Sequence, residues 1–363
     1  MQQEQHLTSS LVRKMQRFAV GCTTSLVLTL GVATTTSVAT AAPASPNLDE
    51  LAQYAGIDKS LLDSAITQAT YQQKIIDTMN RPYESKPWYT YRKLFMTKQR
   101  IDAGVEFYLQ HEAELQRAHQ ELGVAPEIVC AIIGVETFFG KNMGTWKVLD
   151  ALYTLGFHYP SRASYFSKEF ANYVKLATRE GWGLTEIKGS YAGAMGMGQF
   201  MPSSYLSYAI DFDGDQHVNL FNDTQDAIGS VANYFRAHGW VDGGGVMYPA
   251  HVYGSNGHIV PKATINALMK KEWNLTPQDL VNAGISTKVN LTQDQKIRLY
   301  SYELEDGTYD YQVALNNFYA ITRYNKSQLY ARVVFELSEA IAVGYQEAKL
   351  LQGQYVAPAG KRP

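Results

Sequence analysis

The 363-residue chain has only two cysteines, Cys22 and Cys130. Cys22 falls in a leading segment expected to be removed, so the mature chain would keep Cys130 alone and form no intramolecular disulfide. Within its apolar run Cys130 reads as a small buried side chain. Net charge is also scarce: 32 Lys and Arg stand against 34 Asp and Glu, and the sequence pI is near 6.5. That balance provides no general basic face for nucleic acid. The sequence has no H-E-x-x-H zinc motif; His111 and His119, and His251 and His258, are too widely spaced for one. A G-x-S-x-G elbow is missing too. Gly193, Gly196 and Gly198 stand in the wrong order for a dinucleotide fingerprint, and no P-loop Lys-Ser/Thr follows them. These gaps argue against a His-based catalytic metal, a serine hydrolase of that type, a nucleotide enzyme and a nucleic-acid binder.

One carboxylate stands out against this background. Glu136 closes the run Ile128-Val129-Cys130-Ala131-Ile132-Ile133-Gly134-Val135. Removing an ionised carboxylate from water is costly, and desolvation raises a carboxyl pKa toward neutrality. Glu136 therefore reads as a general acid, against the alternative of a partly exposed Glu at a helix end. Downstream, the stretch Gly189 to Tyr205 sets glycines among Ser190, Gln199 and Phe200. Its glycines allow close backbone approach to a ligand, and Ser190 and Gln199 offer neutral donors and acceptors suited to hydroxyl and acetamido groups. Ser203-Ser204, after Met201-Pro202, reads as a helix N-cap region.

A second constellation is Asp211-Phe212-Asp213-Gly214-Asp215-Gln216-His217. Oxygen ligands at alternate positions wrap a chain around a hard cation such as calcium. Asp211, Asp213 and Asp215 would offer carboxylates and His217 its backbone carbonyl. Loop position twelve is Asn222 rather than the usual Glu, so the closing acid becomes Asp226, with Asp223 as competitor. Gln216 replaces the glycine that commonly follows the third acid. A solvated acidic turn is the alternative reading.

Organisation follows from periodicity and punctuation. Basic Arg13, Lys14 and Arg17 precede an apolar run from Phe18 to Val38 and an A-x-A site at Ala39-Thr40-Ala41. That is a secretory signal over 1–41, with a start at Met1 or Met15, followed by a Pro-containing linker over 42–50. Ala19-Val20-Gly21-Cys22 resembles an acylation box but precedes most of the apolar run. Cleavage and a periplasmic product are thus preferred to a lipoprotein or an uncleaved anchor. Helical spacing predicts an N-terminal helical lobe over 51–120, broken at Arg81-Pro82 and Lys86-Pro87. Pro126 suits the first turn of the Glu136 helix and Gly140 its end. Lys296 to Leu304 and Tyr309 to Val313 alternate around the turn Glu305-Asp306-Gly307, which predicts a hairpin. A last helix is expected from Ser327 to Leu350.

Several of these stretches together resemble one family. Glu136-Thr137-Phe138-Phe139-Gly140, Gly189 to Gly196, Gln199 to Tyr205, Asp211 to Asp215, Ala227 to Phe235 and Asn317 to Asn325 are similar to the B-type membrane-bound lytic murein transglycosylases. The resemblance runs from about Leu51 to Leu351. It implies a mainly α (α+β) fold: a lysozyme-like catalytic core over 121–253 with a calcium loop, a small β-containing lobe over 254–324, a C-terminal helix over 325–352 and a tail over 353–363. It also implies cleavage of the β-1,4 bond between N-acetylmuramic acid and N-acetylglucosamine. Glu136 would act first as acid and then as base, and 1,6-anhydromuramic ends would form. Carried over by motif, Tyr91, Arg162, Ser190, Gln199, Phe200, Tyr234, Tyr324, Asn325 and Tyr330 would line the substrate cleft. No cofactor is implied for the chemistry, and calcium would be structural. The expected partner is the glycan strand of peptidoglycan, engaged by a monomer, with room for other cell-wall enzymes and none for nucleic acid. Two other readings stay open. One is a hydrolytic muramidase, which needs a second acid such as Asp150, Glu180 or Glu186; the other is a noncatalytic peptidoglycan binder.

Overall fold

A computed structural model of the protein describes residues 46–80, 86–253 and 258–353. The signal segment, the first four residues of the linker, the Arg81-Pro82 break and all but the first residue of the tail lie outside them. In chain order the helices begin with α1 (Leu48–Ala55), α2 (Lys59–Gln68), α3 (Gln73–Met79), α4 (Trp88–Phe95) and α5 (Lys98–Gln110). Next come α6 (Glu112–Leu122), α7 (Pro126–Thr137), α8 (Val148–His158), α9 (Ala163–Glu180) and α10 (Pro202–Tyr208). The rest are α11 (Thr224–Ala237), α12 (Lys262–Met269), α13 (Pro277–Asn282), α14 (Asn316–Tyr324) and α15 (Gln328–Leu351). The strands are β1 (Trp146–Lys147), β2 (Lys188–Gly189), β3 (Met247–His251), β4 (Ser286–Thr287), β5 (Arg298–Glu303) and β6 (Tyr309–Ala314). The chain is mainly helical with small antiparallel sheets, as expected.

Contacts gather the chain into two units. Among the described residues, the first takes in 46–80, 140–209 and 218–227, and the second 86–139, 210–217, 228–253 and 258–353. Helices expected in one N-terminal lobe therefore fall in both, α1 to α3 in the first and α4 to α6 in the second.

In the first unit α8 packs against α9. α8 buries Leu149, Leu152 and Leu155, and α9 buries Phe166, Phe170 and Tyr173. The Asn47 side chain caps α1, and Gly56 ends it in a left-handed turn at φ 67°. The segment before α3 is fixed by side chains of α8. Asp150 accepts the Thr70 N–H at 2.9 Å, and Thr154 Oγ1 accepts that of Gln72 at 3.0 Å.

In the second unit α7 is apolar on every side, which suits a helix enclosed by others. It packs against α5, α6 and α15, with Ile128 to Val135 buried throughout. Pro126 occupies its first turn. Its end differs from the expectation at Gly140, because the helix stops at Thr137. Phe138 and Phe139 then take left-handed backbone at φ 52° and 58°. The reason is packing: the Phe139 ring folds back onto Gly134, where a Cβ would lie 2.5 Å from ring carbon Cζ. The expected hairpin is β5 and β6, paired from Arg298↔Ala314 to Glu303↔Tyr309. It belongs to a sheet ordered β4-β3-β6-β5, whose β3 lies upstream of residue 254. Ile297, Leu299, Val313 and Leu315 form its core with Ile265, Leu268, Leu275 and Leu280. The alternation is broken at Tyr300-Ser301, because β5 buries Leu299, Tyr300 and Tyr302.

Candidate active site

Glu136 lies in the last turn of α7 and keeps some exposed surface as a residue. Its carboxyl group is nonetheless enclosed, and burial pushes its pKa up to about 7. The one opposing influence is Tyr330, whose hydroxyl donates to Glu136 Oε1 at 2.5 Å and favours the charged form. Tyr330 is placed by the start of α15. Ser327 Oγ accepts the Tyr330 N–H at 3.3 Å, and Asn325 Oδ1 accepts that of Ser327 at 3.0 Å. Asn325, expected in the cleft, thus helps build the turn that delivers Tyr330.

Three further tyrosines named from the sequence gather in the same unit. Tyr324 meets Tyr234 edge-on with ring centroids 4.8 Å apart, and Phe235 stacks on Tyr324 at 5.7 Å. The Tyr234 hydroxyl donates to the Arg323 carbonyl at 2.7 Å. Burial holds Tyr324 and Tyr330 well above the usual phenol range, and the charge of Glu136 pushes both further. Tyr91, buried on α4, adds a smaller upward push to Tyr330. Tyr324 and Tyr330 therefore stay protonated beside the acid.

Ser190, Gln199, Phe200 and Arg162 belong to the first unit. Ser190 Oγ accepts the N–H groups of Ala192 and Ala194 at 3.3 and 3.0 Å, which folds the glycine-rich loop on itself. Gln199 adopts a left-handed φ of 52°, and its amide donates to the carbonyls of Met143 and Gly196. Phe200 is buried and pairs through its backbone with Met195 at 2.9 Å in both directions. The loop glycines let the chain approach its own core. A Cβ at Gly193 would lie 2.4 Å from Leu152, and one at Gly196 would lie 2.6 Å from the Leu220 carbonyl. Arg162 holds its guanidinium 4.7 Å from the rings of Tyr165 and Phe166. Ser203 does not cap α10; that helix starts at Met201-Pro202, and the Ser203 hydroxyl and N–H both bind Glu169.

The acids considered for a muramidase have structural partners. Asp150 binds Thr70 and Gln72, Glu186 accepts the Gly183 N–H, and Glu180 pairs with Arg179. In the acidic loop, Asp211 accepts from the N–H groups of Gly214 and Gln216, Asp213 from Asp215, and Asp215 from His217. Gln216 takes φ 75°, the conformation a glycine would hold. Asp223 accepts the N–H groups of Gln225 and Asp226 at the start of α11. Asp226 is buried and accepts the Asn219 N–H at 2.7 Å.

Sequence reasoning missed Arg100. Only 2% exposed, its guanidinium donates to the carbonyls of Leu94 and Phe95 on α4 and of Gly134 on α7. It also lies 5.0 and 5.3 Å from the rings of Phe95 and Phe138. Burial lowers its pKa to about 10. It clamps the C-terminal ends of the helices that carry Tyr91 and Glu136.

An enclosed carboxylic acid poised to donate near neutral pH is the working part of a glycoside-cleaving enzyme. Residues 40–339 match the family described as Transglycosylase SLT domain. Membrane-bound lytic murein transglycosylase B of Escherichia coli (strain K12) is 42% identical over 308 residues, which cover 82% of this chain and 81% of that protein. The catenated lytic transglycosylase SltB1 of Pseudomonas aeruginosa superposes with a TM-score of 0.75 at 40% identity, over 82% of this chain and 96% of that one. The Escherichia coli lytic transglycosylase Slt35 in complex with calcium matches with a TM-score of 0.71 at 42% identity, over 82% and 92%. The chain belongs to the transglycosylase SLT domain family. It is a lytic transglycosylase of mainly helical, lysozyme-like fold.

Proposed function

We propose that the chain cleaves the β-1,4 bond between N-acetylmuramic acid and N-acetylglucosamine in peptidoglycan, with Glu136 as the single acid and base. The observation that carries this reading is the Glu136 carboxyl, held near pKa 7 by burial with the Tyr330 hydroxyl at 2.5 Å. Protonated Glu136 donates to the glycosidic oxygen as the bond to C1 breaks. The N-acetyl group of the same muramyl residue stabilises the cationic centre, as an oxazolinium. Glu136, now a carboxylate, takes the proton from the C6 hydroxyl, whose oxygen attacks C1 and closes the 1,6-anhydro ring. No water is consumed, so one carboxylate serves where a hydrolase uses two. Tyr330 steadies the charged intermediate state of Glu136 through its hydrogen bond.

Ser190, Gln199, Phe200, Arg162, Tyr91, Tyr234, Tyr324 and Asn325 are the proposed cleft residues. Ser190 still has its own hydroxyl proton to donate, which suits an acetamido carbonyl. Arg162 suits the lactyl or peptide carboxylate. The test is Glu136→Gln, which keeps shape and removes the proton. Turnover of purified peptidoglycan should be lost with strand binding retained, and wild-type turnover would end the assignment.

The acidic loop fits a structural calcium ion in its donor set: Asp211, Asp213, Asp215, the His217 carbonyl and Asp226 are all hard oxygen ligands. Engagement of Asp223 at the start of α11 supports Asp226 as the closing acid. A relative has been solved with calcium. The cation braces the loop and takes no part in the reaction. The leading segment is the proposed export signal and the periplasm the proposed site of action, where the glycan strands lie. Among the described residues no single helix is long and apolar enough to cross a membrane.

A further inference from the structure

Arg100 stands where its own helix gains nothing from it. It lies in the first turn of α5, whose N-cap Thr97 accepts the Arg100 N–H at 3.3 Å. That is the positive end of the helix dipole, where a cation is unfavourable. Burial alone lowers its pKa, with no acid among the described residues beside it to hold it up. At about 10 that pKa still leaves the guanidinium charged at neutral pH. A buried cation without a carboxylate needs another source of negative charge. Two other helices supply it. Nη1 donates to the Leu94 and Phe95 carbonyls at 2.9 and 3.1 Å, and Nε to the Gly134 carbonyl at 3.2 Å. The last carbonyls of a helix lack intrahelical partners and form its negative end. One guanidinium therefore joins the ends of α4 and α7, and Glu136 follows Gly134 by two residues.

α5 also meets a third helix. Gly104, one turn beyond Arg100, is buried against α15: a Cβ there would lie 2.4 Å from Ile341 Cδ1 and 3.1 Å from the Phe139 ring. A Cβ at Gly344 of α15 would lie 2.6 Å from Val105 Cγ2. α5 thus touches the helices that carry Tyr91, Glu136 and Tyr330, while supplying none of the proposed cleft residues itself. Beyond α7 the chain turns through Phe138 and Phe139 at φ 52° and 58°, a backbone that bulky residues keep only where their surroundings hold it. Those surroundings include α5: Arg100 lies 5.3 Å from the Phe138 ring, and the Phe107 ring lies 5.3 Å from that of Phe139.

We propose that Arg100 is a positioning residue for the reaction: through the carbonyl ends of α4 and α7 it holds Glu136 at the distance from Tyr330 that the proton transfers need. The inference rests on Glu136 being the acid. Fork geometry matters as well as charge, since lysine would present one nitrogen where the guanidinium spans three carbonyls. The titratable groups around Glu136 are Tyr330 of α15 and Tyr324 of α14, with Tyr91 of α4 acting on Tyr330. The Tyr330 hydrogen bond is what favours the carboxylate. A Glu136 displaced from Tyr330 therefore titrates at higher pH.

The experiment compares Arg100→Lys with the wild-type chain in two readouts. The first is turnover of purified peptidoglycan, where kcat should fall at least about tenfold with KM nearly unchanged. The second needs no turnover: the Glu136 carboxyl carbon is titrated by NMR, its signal assigned by its absence in Glu136→Gln. The midpoint should rise in Arg100→Lys. It should rise no further when Arg100→Lys is added to Tyr330→Phe, where the bond is already gone. A merely structural Arg100 would lower the melting temperature and move neither readout. A folded Arg100→Lys with wild-type kcat, or with an unmoved midpoint, would overturn the proposal. If that variant does not fold, Gly104→Ala decides by the same two measures, because its methyl would push Ile341 and α15 away from α5. Failure of the catalytic reading is separable: Glu136→Gln would then turn over normally, whatever Arg100→Lys does to the midpoint.

Discussion

At the scale of the residue, enclosure sets the affinity of Glu136 for one proton. The Glu136 pKa is raised from its ordinary value to about 7, so the acid form dominates below that pH and is lost above it. The rate should therefore fall as pH rises through about 7, which a kcat/KM profile on peptidoglycan measures. Tyr330→Phe removes the bond that favours the carboxylate, so the falling limb should move to higher pH; a limb that stays or moves down would contradict the geometry. The same shift has a stability consequence. The folded state holds the Glu136 proton more tightly than the unfolded chain, so this group's contribution to stability is lost as pH rises from about 4.5 toward 7. Glu136→Gln should accordingly raise the melting temperature at pH 8 more than at pH 4. Glu136 itself was legible, since an acid at the end of a long apolar run has few other reasons to be there. Tyr91, Tyr234, Tyr324 and Tyr330 were not legible from chemistry alone among 25 tyrosines. Only their motif positions singled them out; Tyr330 bonds Glu136, Tyr324 feels its charge, Tyr234 packs on Tyr324, and Tyr91 acts on Tyr330. Arg100 escaped because arginine reads as a surface residue, and no local pattern marks carbonyls waiting for it.

At the scale of the element, the readable features were those encoded locally. The β5–β6 hairpin follows from alternation and a Glu-Asp-Gly turn, and α15 from its apolar spacing, to which the structure adds a Ser327 cap. The end of α7 was misread because its stop is tertiary. Gly140 looked like the terminator, whereas the Phe139 ring closing on Gly134 turns the chain two residues earlier. Gly134→Ala should therefore cost about 1–3 kcal/mol by overpacking, read from denaturant midpoints, and should lower kcat by moving Glu136. Loss of the Ser327 cap in Ser327→Ala should cost about 1 kcal/mol and loosen the turn that presents Tyr330.

At the scale of the whole molecule, the division into two units was hidden from the sequence. Each unit is assembled from separated segments, and periodicity reports no long-range partners. The N-terminal helices illustrate this: α3 is held by Asp150 and Thr154 of α8, some eighty residues onward. The proposed calcium ion belongs to this scale too. If the loop from Asp211 to Asp226 binds the ion only when folded, a chelator should lower the melting temperature, by about 2.7 kcal/mol of lost stability when calcium had stood at a hundred times its dissociation constant. The pH at which the rate falls should not move, because the ion is proposed to brace the loop and not to react. A melting temperature indifferent to chelation and to added calcium would remove calcium from the account.

The most direct test of the central claim is mass spectrometry of the fragments the mature protein releases from purified peptidoglycan. One acid acting without water predicts fragments lighter than hydrolytic products by the mass of one water and ending in 1,6-anhydromuramic acid. Reducing muramic ends would contradict it.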